Sequence, residues 1–138
     1  MIVLANNVVS EAMKPDPHPA MRVWLNAQVA PTLFLSSVAL AELMFGIAAL
    51  PAGKRKDMLF KTLDGLSGLS RDRVLPFDTD VPTQRAELAV KASIEGQGFP
   101  TPDGYIAATA ASQDFTLASR DTTPFLAAGV SIINPLRP

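Results

Sequence analysis

Residues 33–50 read LFLSSVALAELMFGIAAL, and this run decides the fold class. It is the stretch closest to the roughly 18 apolar residues that a membrane helix needs, but serines, one glutamate and one glycine interrupt it. Its first three residues predict a short buried strand. Ser36 or Ser37 predicts the N-cap of a helix that follows over residues 38–50. An apolar strand that runs straight into a buried helix favours a parallel sheet covered by helices.

The same alternation extends to both ends of the chain. Further strands are predicted at residues 2–4, 73–77, 115–118 and 130–133. Further helices are predicted at residues 8–13, 20–29, 56–69, 83–94, 101–112 and 123–128, with Thr101 as the N-cap and Pro102 as the first helical residue of the 101–112 helix. We therefore expect a single compact domain over residues 1–138, of the α/β class, with a parallel sheet flanked by helices on both faces.

Charge and cysteine content narrow the possible functions. The chain has 12 Lys and Arg against 13 Asp and Glu, a net charge of −1. Basic side chains form only local clusters at residues 54–56, at Arg71 with Arg73, and at Arg120, so nucleic acid would have to bind through a metal-charged cleft and a few cations. The absence of cysteine excludes disulfides and thiolate metal sites. The hydrophobic content of 48% suggests a surface for a protein partner or a second copy.

No stretch predicts insertion into a membrane or secretion. The 33–50 run is interrupted, and the chain opens on Met1-Ile2-Val3-Leu4 without a basic leader. We therefore expect a cytoplasmic protein with no membrane partner.

Three acidic residues have both a structural and a functional explanation. Glu42 is the only charge between residues 33 and 53, and it could reach solvent at a helix edge or pair with an arginine. Asp103 is the only charge between residues 97 and 113, where a helix start would favour an acid. Asp121 follows a predicted strand and could cap the next helix.

Together the three acids predict a metal site. Each falls at or just past the carboxyl end of a predicted parallel strand, where ligands bind in such sheets. Converging carboxylates repel one another, so a hard divalent cation is the natural counter-charge, and it could activate water for attack on a phosphodiester. Other chemistry is disfavoured, because His18 is the only histidine and lies among prolines in a predicted surface turn.

Four short motifs carry a resemblance to a known family. They are MIVLANNVVSE at residues 1–11, LAEL at residues 40–43 with Gly46, PDGYIAA at residues 102–108, and SRD at residues 119–121. In this order they resemble the PIN-domain family, and within it the VapC-type toxins of bacterial toxin–antitoxin pairs, which include the FitB-like proteins. The resemblance covers essentially the whole chain.

The resemblance implies a compact α/β fold, RNA cleavage that depends on Mg²⁺ or Mn²⁺, dimerisation, and inhibition by a small VapB-type antitoxin whose tail lies over the active-site groove. By position, Glu42, Asp103 and Asp121 take the family's second, third and fourth acidic places. Asn7 takes the polar place that follows the first acid.

The chain departs from the family at the first acid. The family pattern there is Asp-Thr-Asn, whereas this chain has Ala5-Asn6-Asn7. Alanine offers no oxygen ligand, and the asparagines offer only neutral groups. We expect weakened metal binding and a nuclease that is inactive or nearly so, whether the change is engineered or natural.

Alternative functions remain open. The chain is either a ribonuclease toxin with a damaged site or a non-catalytic homologue that binds an antitoxin, which would itself supply the contact to operator DNA. A phospho-receiver domain is disfavoured, because it needs an acidic pair near the first turn. The helices predicted at residues 38–50 and 56–69 are the candidate partner surfaces, the second with an apolar face made by Leu59, Leu63, Leu66 and Leu69.

Overall fold

The computed structural model describes residues 1–69 and 71–138. The side chains of residues 66–69 and 71 are outside that description. The side chains that were predicted to form part of the apolar face, Leu66 and Leu69, and of the basic cluster, Arg71, therefore lie outside the described part of the structure.

Five short strands in the described part of the chain form one parallel sheet. The strands are β1 Ile2–Leu4, β2 Leu33–Ser36, β3 Val74–Leu75, β4 Thr116–Ala118 and β5 Ile132–Ile133. They are ordered β3-β2-β1-β4-β5, and every neighbouring pair is parallel. β1 lies at the centre, where Val3 is in register with Phe34 on one side and Leu117 on the other. The predicted parallel α/β fold is confirmed.

The helices connect the strands as predicted, with ends displaced by up to three residues. They are α1 Asn6–Ala12, α2 Pro19–Asn26, α3 Ser37–Ala48, α4 Lys54–Leu69, α5 Asp80–Ile94, α6 Thr101–Ser112 and α7 Thr123–Ala127, with 3₁₀ turns at Ala30–Thr32 and Arg71–Arg73.

Both faces of the sheet are covered, because neighbouring residues of each strand point to opposite sides. Val3 and Leu117 pack with residues of α5, α6 and α7 in one cluster of buried side chains. Ile2 and Ala118 pack on the other side against α1 and α2. On that side Leu35 also joins α1, α3 and α4 in a third cluster.

The 33–50 run folds as the predicted strand followed by the predicted helix. The Ser36 hydroxyl, which is fully buried, accepts a hydrogen bond from the backbone N–H of Ala39 at 3.0 Å and so caps α3. In the described ranges, we find no helix with the length and apolar character to cross a membrane.

The predicted start of α6 is wrong by one residue. Thr101 is already helical and Pro100 occupies the N-cap position, without a side-chain cap. The Pro100 carbonyl accepts the N–H of Gly104 at 3.0 Å, so helical bonding begins before the threonine hydroxyl could cap it.

Candidate active site

The carboxyl ends of β1, β2 and β4 meet at one edge of the sheet and form the base of the candidate site. Ala5 follows β1 and donates its backbone N–H to the carbonyl of Ala118 at 2.9 Å. Ser36 ends β2 and Ser119 follows β4, and both side chains are buried. Ligands of parallel α/β sheets bind at this edge.

Asp103 enters this edge from the first turn of α6. Because α6 leads back to the start of β4, its own N-terminus lies at the opposite, carboxyl edge. Asp103 lines a small cavity together with Ala5, Asn7 and Ser119. Partial burial raises the pKa of the Asp103 carboxyl above its usual value, and the negative charges of Asp121 and Glu42 raise it further. The structure therefore places Asp103 within electrostatic range of both Glu42 and Asp121.

Glu42 and Asp121 are both exposed. Glu42 lies six residues beyond the end of β2, within α3, and its exposed side chain agrees with one of the structural explanations given above, a helix edge at which the carboxylate reaches solvent. The sequence shows that the neighbours of Glu42 along the chain are apolar, but it does not show that Glu42 lies on the exposed side of α3. Asp121 is exposed and does not cap α7, since Thr122 is the N-cap residue there.

None of the ion pairs found among the described residues involves Glu42, Asp103 or Asp121. The arginine partner that would have explained Glu42 structurally is thus not observed in that part of the chain.

Asn7 connects α1 to the loop that carries Asp121. Its side-chain amide donates to the Ser119 hydroxyl at 3.0 Å, and its side-chain carbonyl accepts the N–H of Arg120 at 3.3 Å. The same Ser119 hydroxyl accepts the N–H of Asp121 at 3.1 Å. Asn7 therefore holds the backbone of this loop.

Glu11 is an acidic residue that sequence reasoning missed. Its side chain is 9% exposed and lies 3.3 Å from the Lys14 ammonium and 3.7 Å from the Arg120 guanidinium. Burial alone would raise the pKa of the Glu11 carboxyl, but Lys14, the backbone N–H of His18 and Arg120 outweigh it and hold that pKa below its usual value. A signal was present: Glu11 lies three residues after Val8, on the apolar face of its helix.

His18 has a local structural role. It is the N-cap of α2, where its Nδ1 accepts the N–H of Ala20 at 3.1 Å. Its exposed position agrees with the predicted surface turn.

The negative charge of the three acidic residues suits a divalent cation, but the arrangement of their side chains is not that of a formed metal site. Asp103 lies beside two further carboxylates, and only burial and those negative charges contribute to its raised pKa. Across residues 1–69 and 71–138, however, no group of three acidic or histidine side chains is arranged closely enough to hold a metal ion. At position 5, where the resemblance implies a fourth carboxylate, the Ala5 side chain borders the cavity that Asp103 lines.

A groove leads away from this edge between α1 and the α3–α4 hairpin. Its volume is about 430 Å³, and its charged lining residues are Lys14, Glu42 and Arg55. Leu43 and Ile47 belong to its apolar lining. The groove thus combines an apolar lining with charges of both signs.

Comparison with known proteins places this architecture. The model of the PIN domain family matches residues 2–129. The chain belongs to the PIN domain family. The resemblance that the four motifs indicated is confirmed.

Two curated PIN-domain relatives span the chain from end to end. The VapC ribonuclease Y4jK of Sinorhizobium fredii is 49% identical over 140 residues, covering 100% of this chain and 99% of the relative. The toxin FitB of Neisseria gonorrhoeae is 39% identical over 136 residues, covering 98% of each. The structure of FitAB bound to an IR36 DNA fragment matches with a TM-score of 0.93 and 37% identity, covering 99% of this chain and 96% of that chain. Within the PIN domain family, the chain thus groups with the VapC and FitB toxins.

Proposed function

We propose that this chain is the toxin of a VapBC-type toxin–antitoxin pair, built as an endoribonuclease that depends on Mg²⁺ or Mn²⁺. The observation that carries the proposal is the position of Asp103 beside the charges of Glu42 and Asp121 at the carboxyl edge of the sheet. The relatives named for ribonuclease and toxin activity support it.

Glu42, Asp103 and Asp121 would hold the cation. Bound there, a divalent ion would polarise a phosphodiester and activate a water molecule for hydrolysis. The protein side chains fix the geometry: α6 presents the half-buried Asp103, while Asn7 holds the loop that presents Asp121. Magnesium retains several waters and few protein ligands, so room for the substrate's phosphate oxygens would remain.

We further propose that the site is impaired by Ala5. Its side chain is nearly buried at 6% exposure and borders the cavity that Asp103 also lines, so an aspartate at position 5 would place its carboxylate beside Asp103. Loss of such a contact commonly costs about 10²-fold or more in rate. We expect the alanine at position 5 to affect activity and not the fold, because its backbone has ordinary extended angles and is hydrogen-bonded at the turn after β1.

Restoration of the missing acid tests this assignment. The double substitution Ala5→Asp and Asn6→Thr should raise the rate of Mg²⁺-dependent cleavage of a cellular RNA pool by about 10²-fold or more. The matched control adds Asp103→Asn to the same protein, and a second control removes the metal with a chelator. Cleavage should disappear in both. If the restored protein cleaves no RNA with either metal, the ribonuclease assignment is wrong.

The proposed protein partner is a VapB-type antitoxin. The groove between α1 and the α3–α4 hairpin combines an apolar lining with the charges of Lys14, Glu42 and Arg55, which suits an antitoxin tail. Exposed apolar side chains on the same hairpin, such as Phe45 at 73% and Met58 at 63%, add surface for a partner. The other proposed partners are a second copy of this chain, with which it would form a homodimer, and the RNA substrate.

A second candidate function is that of an antitoxin-binding module without nuclease activity. Ala5 favours it, and FitAB is a relative's complex that binds DNA. In this case the chain, co-purified with its antitoxin, should shift operator DNA while neither the chain nor its restored variant cleaves RNA. A restored variant that does cleave RNA would exclude this function for the scaffold.

A further inference from the structure

Glu11 is a buried carboxylate outside the set of acids assigned to the metal. It lies in the last turn of α1, where the helix dipole disfavours a negative charge, so helix stability does not explain it. Burial of an ionised carboxylate is costly unless cations and donors compensate. Its neighbours Lys14 and Arg120 supply that compensation.

The contact with Arg120 joins two distant parts of the chain. Arg120 lies in the loop after β4, directly before Asp121. Asn7 binds the backbone of this loop from the first turn of α1, and Glu11 binds its arginine side chain from the last turn. One short helix therefore holds the loop at two separate points.

We propose that Glu11 is a positioning residue of the active site, which fixes the Asp121 loop through Arg120. This role rests on the proposed function, in which Asp121 binds the metal. Glu11 does not reach the metal ligands itself. It restricts the loop, so that Asp121 stays beside Asp103 without a large loss of conformational freedom when the cation binds.

Hydrogen exchange measured by NMR tests the loop directly in the full chain. The amides of Arg120 and Asp121 are both hydrogen-bonded, which makes them suitable reporters. Glu11→Gln keeps the size of the side chain and removes its charge. We expect exchange at these two amides to become about tenfold faster, as the loss of a charged contact would give. Arg120→Gln should have the same effect, and the double variant should be no worse than either single variant.

Two control variants separate positioning from general stabilisation. Lys14→Gln removes the other cation beside Glu11 but leaves its contact with the loop, and Asp16→Asn removes the acid of an exposed ion pair with Arg22. Neither should change exchange at the reporter amides by more than about twofold. A role limited to the stability of α1 would instead make Lys14→Gln resemble Glu11→Gln.

Metal affinity provides the second measurement. In the Ala5→Asp protein, Glu11→Gln should weaken Mn²⁺ binding by about tenfold, as substitutions behind metal ligands commonly do. If the Ala5→Asp protein binds no Mn²⁺, the proposed function fails, while faster loop exchange in Glu11→Gln would still support the positioning role. Unchanged exchange at Arg120 and Asp121 in both Glu11→Gln and Arg120→Gln would overturn it.

Discussion

The Asp103 carboxyl has a raised pKa in the folded protein. Burial and two negative charges raise its pKa, so the folded state holds its proton more tightly than the unfolded state does. Below the unfolded pKa the group is protonated in both states and costs nothing. As pH rises through the folded pKa, the folded state acquires a charge in an unfavourable place and loses stability.

The first prediction follows from this sign. Asp103→Asn should raise the free energy of unfolding at neutral pH, and the gain should vanish as pH falls below about 4, the range of an unperturbed aspartate. Urea unfolding across this pH range measures it. Asp16→Asn, at a fully exposed carboxyl, is the control and should show no such gain. A gain of equal size at low and neutral pH would contradict the charge explanation.

Glu11 titrates in the opposite sense. Its lowered pKa contributes stability that is present above the unfolded pKa and is lost as pH falls through the folded value. The two carboxyls thus act in opposite directions: Glu11 stabilises the fold near neutral pH, whereas Asp103 destabilises it there. This is the pattern expected where one acid serves the structure and another serves a cation that the protein itself does not supply.

At the scale of elements, two glycines illustrate how packing decides the effect of a methyl group. A Cβ on Gly104 of α6 would lie 2.7 Å from Cε2 of Phe99 and 3.1 Å from Nε of Arg85. A Cβ on Gly46 of α3 would have nothing within 4 Å. Phe99 is held in place because its ring stacks on Phe125 at 5.3 Å, so it cannot move freely.

The second prediction compares these positions. Gly104→Ala should destabilise the protein by about 1–3 kcal/mol, because the new methyl group would overpack against Phe99, which precedes α6, and Arg85 of α5. Gly46→Ala should stabilise it by about 0.5–1 kcal/mol, because alanine is the better helix former. Chemical unfolding of both variants measures the difference. The same sign for both changes would show that helix propensity, and not packing, dominates at Gly104.

Sequence patterns predicted the order of elements because strand and helix periods are local properties. Element ends were less predictable, since they depend on which residue makes the first helical hydrogen bond, as at Thr101. The acids proposed for the carboxyl edge were predicted from their positions after strands and from the resemblance, and their role as metal ligands stays a prediction. The Glu11–Arg120 contact could not be predicted from the sequence. It joins residues far apart in the chain, and their approach depends on the packing of α1.

At the scale of the whole molecule, the groove links the carboxyl edge of the sheet to the α3–α4 hairpin. Gly46 lines this groove from the last turn of α3, where glycine is a poorer helix former than alanine. Since nothing in the free chain contacts a Cβ at this position, packing within the chain does not require glycine here. A partner whose backbone approaches α3 closely would require it.

The third prediction concerns binding of the proposed antitoxin. Gly46→Leu would fill part of the groove and should weaken binding of the antitoxin by about tenfold or more, since a bulky side chain would displace a buried contact. Calorimetry with the purified antitoxin measures the affinity. Gly65→Leu is the matched control: Gly65 also lies within a helix with nothing within 4 Å of a Cβ, but it is not part of the groove lining.

The comparison isolates the groove from helix stability, because both substitutions replace a glycine inside a helix by the same good helix former. Both variants should therefore be at least as stable as the parent, and only Gly46→Leu should bind weakly. Equal affinity for the two variants would place the antitoxin on another surface. If the antitoxin binds the Ala5→Asp, Asn6→Thr variant and that variant still cleaves RNA, the partner leaves the proposed active site open, although Glu42 lines the same groove.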